Sequence, residues 1–240
     1  MATLDLLAAK GLSKSFGGLR AVADVDFSLP KGQIRALIGP NGAGKSTFVA
    51  MLCGRIPATS GDVFFEGQRI TGWPAHRRIR LGMAYTFQIT SVFARLSLFE
   101  NVALAARRVH TGEPRKVVAA TEQALERVGL APRQAQMAGD LSYGHQRLLE
   151  IAMGLVQAPL LFILDEPTQG LAESEVADFK EMIRALGAET TVLLIEHNMD
   201  VVMETADYIT VLDQGRTLAE GTPGEIRANA AVQAAYLGSA

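Results

Sequence analysis

The chain has 240 residues, a formal net charge of −2 and a single cysteine. This length fits one large domain or one domain with an embedded lobe, and the slightly acidic balance argues against a protein that grips nucleic acid over its whole surface. One cysteine excludes an intramolecular disulfide and a metal site built from cysteines. No apolar run approaches the roughly 18 residues of a membrane span. Asp5 and Lys10 also interrupt a secretory-type N-terminus, so we expect a soluble, cytosolic-side protein.

The first part of the chain is predicted to be rich in strands. Strand-like runs at residues 6–12 and 22–29 are separated by a turn signal at Gly17 and Gly18. Apolar and polar residues alternate in the second run, so one face of that strand is expected to be buried. Phe16, just before the turn, is either a core residue or a ring on which an adenine base stacks.

A glycine-rich loop follows the apolar run at residues 34–38 and opens into a predicted helix at residues 48–52. It matches the pattern GxxxxGK[ST] in the strand–loop–helix context that the pattern requires. Its glycines let backbone N–H groups point at phosphate oxygens, and the helix N-terminus behind them favours negative charge. The sequence therefore predicts a loop that binds a nucleoside triphosphate, made of Gly39, Pro40, Asn41, Gly42, Ala43, Gly44, Lys45, Ser46 and Thr47.

The middle of the chain has a different character. A strand is predicted at residues 62–66, and the basic stretch at residues 76–80 is interpreted as a solvated helix face. Residues 97–156 are helical in composition, with breaks at residues 112–114 and 129–132. We interpret this segment as a helical lobe inserted into an α/β core, with a buried stripe formed by Leu125, Val128 and Leu130.

Two later apolar runs end in charged or titratable residues. Residues 160–164 are followed by Asp165 and Glu166, and residues 191–195 by Glu196 and His197. Such runs are typical of strands buried on both faces, and open α/β sheets place their ligands at the carboxyl ends of these strands. Asp165 is suited to a magnesium shell and Glu166 to orienting or deprotonating an attacking water. His197 is a candidate contact for the terminal phosphate. The chain closes with two strand-like runs and a helix capped at Thr222.

Taken together, these motifs resemble the ATP-binding cassette (ABC) ATPases over essentially the whole chain. Residues 39–47 look like the Walker A loop and residues 160–166 like Walker B. Gln88 matches the Q-loop glutamine, His197 the switch histidine, and Phe16 the aromatic residue that packs against adenine. A stretch similar to the signature motif LSGGQ contains Leu141, Ser142, Tyr143, Gly144 and His145.

The resemblance implies an α/β P-loop NTPase fold with a RecA-like core, an antiparallel β subdomain and an inserted α-helical subdomain. One cassette would span residues 1–240: residues 1–87 and 157–240 would form the nucleotide-binding core with the β subdomain, and residues 88–156 the helical signature subdomain. It also implies ATP and Mg²⁺ as ligands. The implied roles are catalysis by Glu166, His197 and Gln88, and metal binding by Ser46, Gln88 and Asp165.

The family resemblance further implies two cassettes, from this chain or a paralogue, that pair head to tail. Each ATP site would then be completed by the partner's signature motif. Two departures bear on this: the signature has Tyr143 and His145 where the first glycine and the glutamine are usual, and Ala172 follows Gly-Leu where an aspartate or asparagine is usual. Ser142 and Gly144 are retained, so the donors directed at the γ-phosphate should survive.

Finer features resemble one branch, the importers of branched-chain amino acids and of amides such as urea. They lie at residues 86–88, 148–152, 194–199 and 235–238. This implies a peripheral subunit on the cytoplasmic face of the inner or plasma membrane, working with two transmembrane permease subunits and a periplasmic or extracellular solute-binding protein. The apolar stretch after Gln88 is expected to dock a short cytoplasmic helix of such a permease.

Three other functions are weighed against this interpretation. The lipopolysaccharide-export ATPase is a close relative with a similar C-terminus and a similar stretch at residues 93–97. A switch acting on nucleic acid or ribosomes is disfavoured by the single cassette, the acidic balance and the lack of a basic tail, so no nucleic-acid partner is expected. A catalytically silent interaction module would lack Lys45 or Glu166, and both are present.

Overall fold

A computed structural model describes residues 5–86 and 91–237 of the chain. The strands are β1 (Asp5–Phe16), β2 (Leu19–Pro30), β3 (Ile34–Ile38), β4 (Ser60–Phe65), β5 (Gln68–Arg69), β6 (Met83–Tyr85), β7 (Leu161–Asp165), β8 (Thr191–Ile195), β9 (Tyr208–Asp213) and β10 (Arg216–Gly221). The helices are α1 (Lys45–Leu52), α2 (Ala75–Arg80), α3 (Leu98–Val109), α4 (Pro114–Arg127), α5 (Tyr143–Leu155), α6 (Glu173–Gly187), α7 (Met199–Thr205), α8 (Pro223–Ala228) and α9 (Ala230–Leu237).

The larger sheet has the order β10-β9-β3-β8-β7-β6. All its pairings are parallel except the β9–β10 pair at one edge. Every residue of β3, β7 and β8 is buried, as expected for apolar strands covered on both faces. Because these strands run in the same direction, their carboxyl ends lie along one edge, and that edge carries the predicted functional residues.

The smaller sheet, of order β2-β1-β4-β5, is antiparallel. It confirms the predicted β subdomain, and the apolar face of β2 formed by Val25, Phe27 and Leu29 is buried. β1 and β2 are longer than the apolar runs predicted because they pair as one hairpin from Asp5–Pro30 to Phe16–Leu19. Backbone pairing continues past the apolar residues, so a hydrophobic pattern alone underestimates strand length.

The described part of the segment between β6 and β7, residues 91–160, is mainly helical, as predicted. Helix α3 begins with a capping box in which Ser97 and Glu100 satisfy each other's backbone N–H groups. The stripe of Leu125, Val128 and Leu130 is buried and joins a core that continues onto one face of the parallel sheet. The helical lobe is therefore held against the strands that carry the site.

One sequence interpretation is wrong. The basic stretch of α2 is not a uniformly solvated face, because Arg78 is 2% exposed. Its guanidinium donates hydrogen bonds to the backbone carbonyls of Met51, Leu52, Thr71 and Trp73. Four carbonyl acceptors compensate the loss of water around this charge. Burial lowers the pKa of Arg78 to about 10.

The single cysteine is buried. Cys53 follows α1 and is 7% exposed, and burial raises the pKa of its thiol to about 12. It is therefore a small packing residue. Within the residues that the structure describes, no helix is both long enough and apolar enough to cross a bilayer.

Candidate nucleotide-binding site

The glycine-rich loop between β3 and α1 is fixed by backbone contacts. Gly39 has a φ of 150°, and a Cβ atom there would lie 2.1 Å from the Leu212 carbonyl oxygen, so no larger residue fits without moving β9. Gly215, in the turn between β9 and β10, donates its N–H to the Ala43 carbonyl (3.0 Å) and accepts from the Ala23 N–H (2.7 Å). The loop is therefore clamped between the two sheets.

The cavity next to this loop has a volume of about 390 Å³ and is lined by residues 41–47, Phe16 and Glu166, among others. Lys45 lines it, and its ammonium donates to the carbonyls of Gly39 (2.6 Å) and Pro40 (3.1 Å). Burial lowers the pKa of Lys45, and the neighbouring Glu166 and Asp165 oppose that shift. A lysine, backbone N–H groups and a helix N-terminus converge here, which is the donor set for bound phosphates.

Phe16 is 50% exposed, so it is not a core residue. It ends β1 and lines the same cavity as the loop, and the Lys14 ammonium lies 5.0 Å from the centre of its ring. Of the two interpretations left open by the sequence, the structure is therefore consistent with a ring available to a base.

Asp165, the last residue of β7, has a partner that sequence reasoning missed. The Tyr85 hydroxyl, at the end of the neighbouring strand β6, donates to Asp165 Oδ2 (2.6 Å). Burial raises the pKa of Asp165, and the Tyr85 hydrogen bond opposes that rise. The pKa of Tyr85 is itself raised by burial and by this bond. No local sequence signal marks this contact, because Tyr85 and Asp165 are 80 residues apart.

Glu166 and His197 follow the two neighbouring strands β7 and β8, and the structure brings them together. The distance from His197 Nδ1 to Glu166 Oε1 is 3.9 Å. Glu166 has a φ of 49°, an uncommon conformation for a residue other than glycine. Its N–H donates to the Ile195 carbonyl (2.8 Å), which ties it to β8.

Glu196 is the second residue that sequence reasoning missed. Its carboxylate is 1% exposed and accepts from the backbone N–H groups of His197 (2.9 Å), Asn198 (3.1 Å) and Thr168 (3.0 Å), and from the Thr168 hydroxyl. It therefore holds the loop after β7 and the loop after β8 in one arrangement.

The signature-like residues form a separate surface. Ser142 is the N-cap of α5 and is exposed, Leu141 is buried, and Tyr143 is 42% exposed. None of residues 141–145 lines the cavity beside the glycine-rich loop. Gln88, the remaining predicted site residue, lies outside the described residues.

The start of α5 packs against the loop after β7 of the same chain. A Cβ atom at Gly144 would lie 2.6 Å from the Gly170 carbonyl oxygen, so the close approach requires glycine. His145 also reaches this region, with its Nε2 3.1 Å from Glu175 Oε1 on α6. The two departures from the family pattern therefore lie side by side in the structure.

Comparison with known sequences adds a second line of support. The profile of the family described as ABC transporter matches residues 22–169, and that of the branched-chain amino acid ATP-binding cassette transporter matches residues 216–240. The chain is 39% identical to BraF of Pseudomonas aeruginosa and 40% identical to LivG of Escherichia coli K12, both high-affinity branched-chain amino acid transport ATP-binding proteins, with 98% of each chain covered. It is 35% identical to LptB, the lipopolysaccharide export system ATP-binding protein of the same bacterium, over 99% of this chain and 98% of LptB.

Solved structures resemble the fold along nearly its whole length. An ATP-binding cassette of an ABC transporter in its ADP conformation, MJ1267, superimposes with a TM-score of 0.85 and 29% identity, covering 98% of this chain and all of that one. A nucleotide-free cassette from an ABC transporter gives a TM-score of 0.84 and 28% identity, covering 97% of this chain and 98% of that one.

Proposed function

Because this chain belongs to the ABC transporter family and carries its ATPase cassette, we propose that it powers the import of branched-chain amino acids or related small amides. The observation that carries the substrate class is the similarity to BraF and LivG over 98% of the chain. The match of residues 216–240 to the branched-chain profile supports the same class. This C-terminal stretch lies outside the ATP-binding motifs, so it adds to them independently.

For the ATP site we propose that residues 39–47 wrap the phosphates and that Phe16 stacks on the adenine. Lys45 would exchange its two carbonyl acceptors for the outer phosphates, which are stronger acceptors because they are charged. Glu166 would activate the attacking water, with His197 contacting the terminal phosphate and Gln88 assisting. The support is the geometry of the parallel-sheet edge, where Lys45, Glu166 and His197 converge.

Mg²⁺ fits the donors at this edge. Magnesium prefers a few protein oxygen ligands together with phosphates and waters, and the Ser46 hydroxyl and the Asp165 carboxylate are such ligands. Within residues 5–86 and 91–237 there is no cluster of three histidine, cysteine, aspartate or glutamate side chains. When bound, the ion would neutralise phosphate charge. Gln88 is proposed as a third ligand.

We further propose that two cassettes pair head to tail and that Ser142 and Gly144 complete the partner's ATP site. The support is the position of the signature: Ser142 and Tyr143 are exposed at the start of α5, and none of residues 141–145 lines its own chain's nucleotide cavity. Under this proposal ATP bridges Lys45 of one subunit and Ser142 of the other, and hydrolysis removes the bridge.

The proposed partners are two transmembrane permease subunits and an external solute-binding protein, with this chain peripheral on the cytoplasmic face. The apolar stretch after Gln88 supports a docking role only in part. Phe93 is 54% exposed, whereas Leu98 is fully buried and belongs to the core. Phe93 is therefore the described residue best placed to contact a permease.

Co-purification from native membranes tests the assignment. Mass spectrometry of the captured partners should identify two permease subunits and a solute receptor that binds aliphatic amino acids or small amides. A receptor for another solute class would contradict the substrate, whereas capture of lipid-export components would contradict import.

The second candidate is lipopolysaccharide export, favoured by 35% identity to LptB over 99% of the chain. Its partners would include no external receptor for small solutes. The same co-purification therefore distinguishes the two candidates.

A further inference from the structure

A chain of polar contacts holds the signature serine. Ser142 Oγ lies 2.7 Å from His145 Nδ1, and His145 Nε2 lies 3.1 Å from Glu175 Oε1. The other oxygen of Glu175 accepts from the backbone N–H of Ala172 (2.7 Å). Glu175 therefore connects the signature to the loop after β7, through His145 and Ala172, two of the three residues that depart from the family pattern.

The hydrogen atoms in this series of polar contacts can be assigned one by one. An ionised carboxylate only accepts hydrogen bonds, so the hydrogen between Glu175 and His145 belongs to Nε2. In a neutral imidazole Nδ1 is then an acceptor, and the Ser142 hydroxyl must donate to it. Ser142 Oγ also accepts from the His145 backbone N–H (3.3 Å). Its only hydrogen is thus committed within its own chain, and none is left for a phosphate oxygen.

Protonation of His145 reverses the direction of the hydrogen bond between Ser142 Oγ and His145 Nδ1. Nδ1 gains a hydrogen and donates it to Ser142 Oγ, which frees the serine hydrogen. We propose that His145 is a positioning residue that sets whether Ser142 can donate a hydrogen bond to the γ-phosphate of the partner's ATP. This inference rests on the proposed pairing of two cassettes. Under it, the formation of the pair is coupled to the protonation of His145.

The charges around the imidazole are predominantly negative. Glu175 and Asp178 of α6 and Glu126 of α4 line the groove at His145, together with a single cation, Arg127. Arg127 is already paired with Glu189, at 2.7 Å. Histidine is the side chain that changes charge between about pH 5 and 8, and a triphosphate brought to Ser142 adds further negative charge. Pairing should therefore become tighter as the pH falls through this range.

The substitution His145→Gln separates this role from a structural one. A glutamine amide can donate to Ser142 Oγ at any pH, and glutamine is the usual residue at this position of the family motif. The variant should keep the serine hydrogen free at every pH, so it should pair as tightly at about pH 8 as its parent does at about pH 6.

The test compares three proteins that all carry Glu166→Gln, which prevents turnover. With saturating ATP, light scattering should give a dimer dissociation constant about tenfold lower at about pH 6 than at about pH 8, the factor expected for one hydrogen bond to a charged group. Adding His145→Gln should abolish that difference. The matched control His110→Gln, at the end of α3, should leave it intact.

Two outcomes overturn the inference: an unchanged pH difference in the His145→Gln protein, or loss of its dimer at both pH values while it remains folded by circular dichroism. A parent that stays monomeric with ATP at both pH values counts against self-pairing, which is part of the proposed function. The nitrogen NMR spectrum of the imidazoles then decides the inference on the monomer. Neutral His145 should carry its hydrogen on Nε2, and a hydrogen on Nδ1 would overturn the assignment.

Discussion

The two halves of the proposed ATP site are built by different means. The glycine-rich loop is clamped by backbone atoms of β9 and of the turn at Gly215, and a Cβ at Gly39 would collide with Leu212. The signature half depends on side chains: Ser142 is held by His145, and His145 by Glu175. A loop held by backbone atoms has one geometry. The hydrogen-bonded side chains of Ser142, His145 and Glu175 can instead arrange their hydrogen atoms in two ways, and only one of these frees the Ser142 hydrogen. We infer that the first half fixes the phosphates and that the second half is the adjustable one.

The largest expected effect tests whether the chemistry belongs to the clamped half. Glu166→Gln keeps the shape of the side chain but removes the carboxylate, so ATP turnover should fall by about 10²–10⁴-fold, the usual range for a general base. ATP binding should persist, and the protein should accumulate as a dimer. Phosphate release and light scattering measure the two results. Glu173→Gln, exposed at the start of α6, is the matched control, and turnover at the wild-type rate would contradict the role of Glu166.

Lys45→Ala should lower Mg-ATP turnover by about 10²–10³-fold, as expected when one preorganised donor to developing charge is lost. ATP affinity of the monomer should also fall, because Lys45 lies in the clamped half and acts before pairing. Isothermal titration and a turnover assay check both results, with the exposed Lys31→Ala as control. Wild-type turnover in Lys45→Ala would refute the site.

Much of the clamped half could be predicted because its signals are local. The apolar runs of β3, β7 and β8 end where the functional residues begin, and strands that are parallel and buried place those ends at one edge. The sequence therefore predicted that Lys45, Glu166 and His197 converge, although they are more than 150 residues apart at the extremes.

The partners of these residues could not be predicted, because they are chosen by packing between distant elements. Tyr85 and Asp165 meet across two neighbouring strands, and His145 meets Glu175 between α5 and α6. Arg78 shows the same limit: its charge indicated solvent, but the carbonyls that bury it come from two separate segments, the end of α1 and the loop before α2. A hydrophobic pattern predicts which face of a helix or strand is buried, but it does not predict which partner a single polar atom will contact.

Phe93 lies outside both halves of the proposed site. Phe93→Ala should lower transport at least about tenfold, the effect of truncating an aromatic residue at the centre of an interface, while basal ATPase activity stays near the wild-type value. Solute uptake into vesicles containing the whole transporter, beside the turnover of the isolated chain, measures the split. Leu104→Ala, an exposed apolar position on α3, is the control. Equal loss of both activities together with loss of folding would mean that Phe93 stabilises the chain itself and would contradict its role in the permease contact.

The signature half is tested by Ser142→Ala combined with Glu166→Gln. At about pH 6, where the Ser142 hydrogen is expected to be free, the dimer should be about tenfold weaker, as expected for one lost hydrogen bond to a charged group, and ATP affinity of the monomer should stay unchanged because the contact is made only across the interface. Light scattering and isothermal titration give the two constants. This pattern is the reverse of that for Lys45→Ala, so a fall in monomer affinity would place Ser142 in its own chain's site and remove the distinction between the halves.

The smallest expected effect is a change in stability caused by a substitution in the clamped half. Tyr85→Phe removes the hydroxyl that donates to the buried Asp165 carboxylate, so the free energy of unfolding should fall by about 1 kcal/mol near neutral pH. Burial already raises the pKa of Asp165 above its ordinary 3.8, and the Tyr85 bond opposes that rise, so the variant should raise this pKa further.

The sign of the pH dependence follows from this shift. A carboxyl whose pKa is raised by folding favours the folded state below that pKa and loses this contribution as the pH rises through it. The loss is deeper in Tyr85→Phe, so the stability gap from the wild type should open as the pH rises through the raised pKa of Asp165 and close below it. Urea unfolding without nucleotide or metal, at several pH values, measures the gap. Tyr208→Phe, on β9 away from Asp165, should show no such trend, and a gap independent of pH would mean that the Tyr85 hydroxyl acts through packing alone.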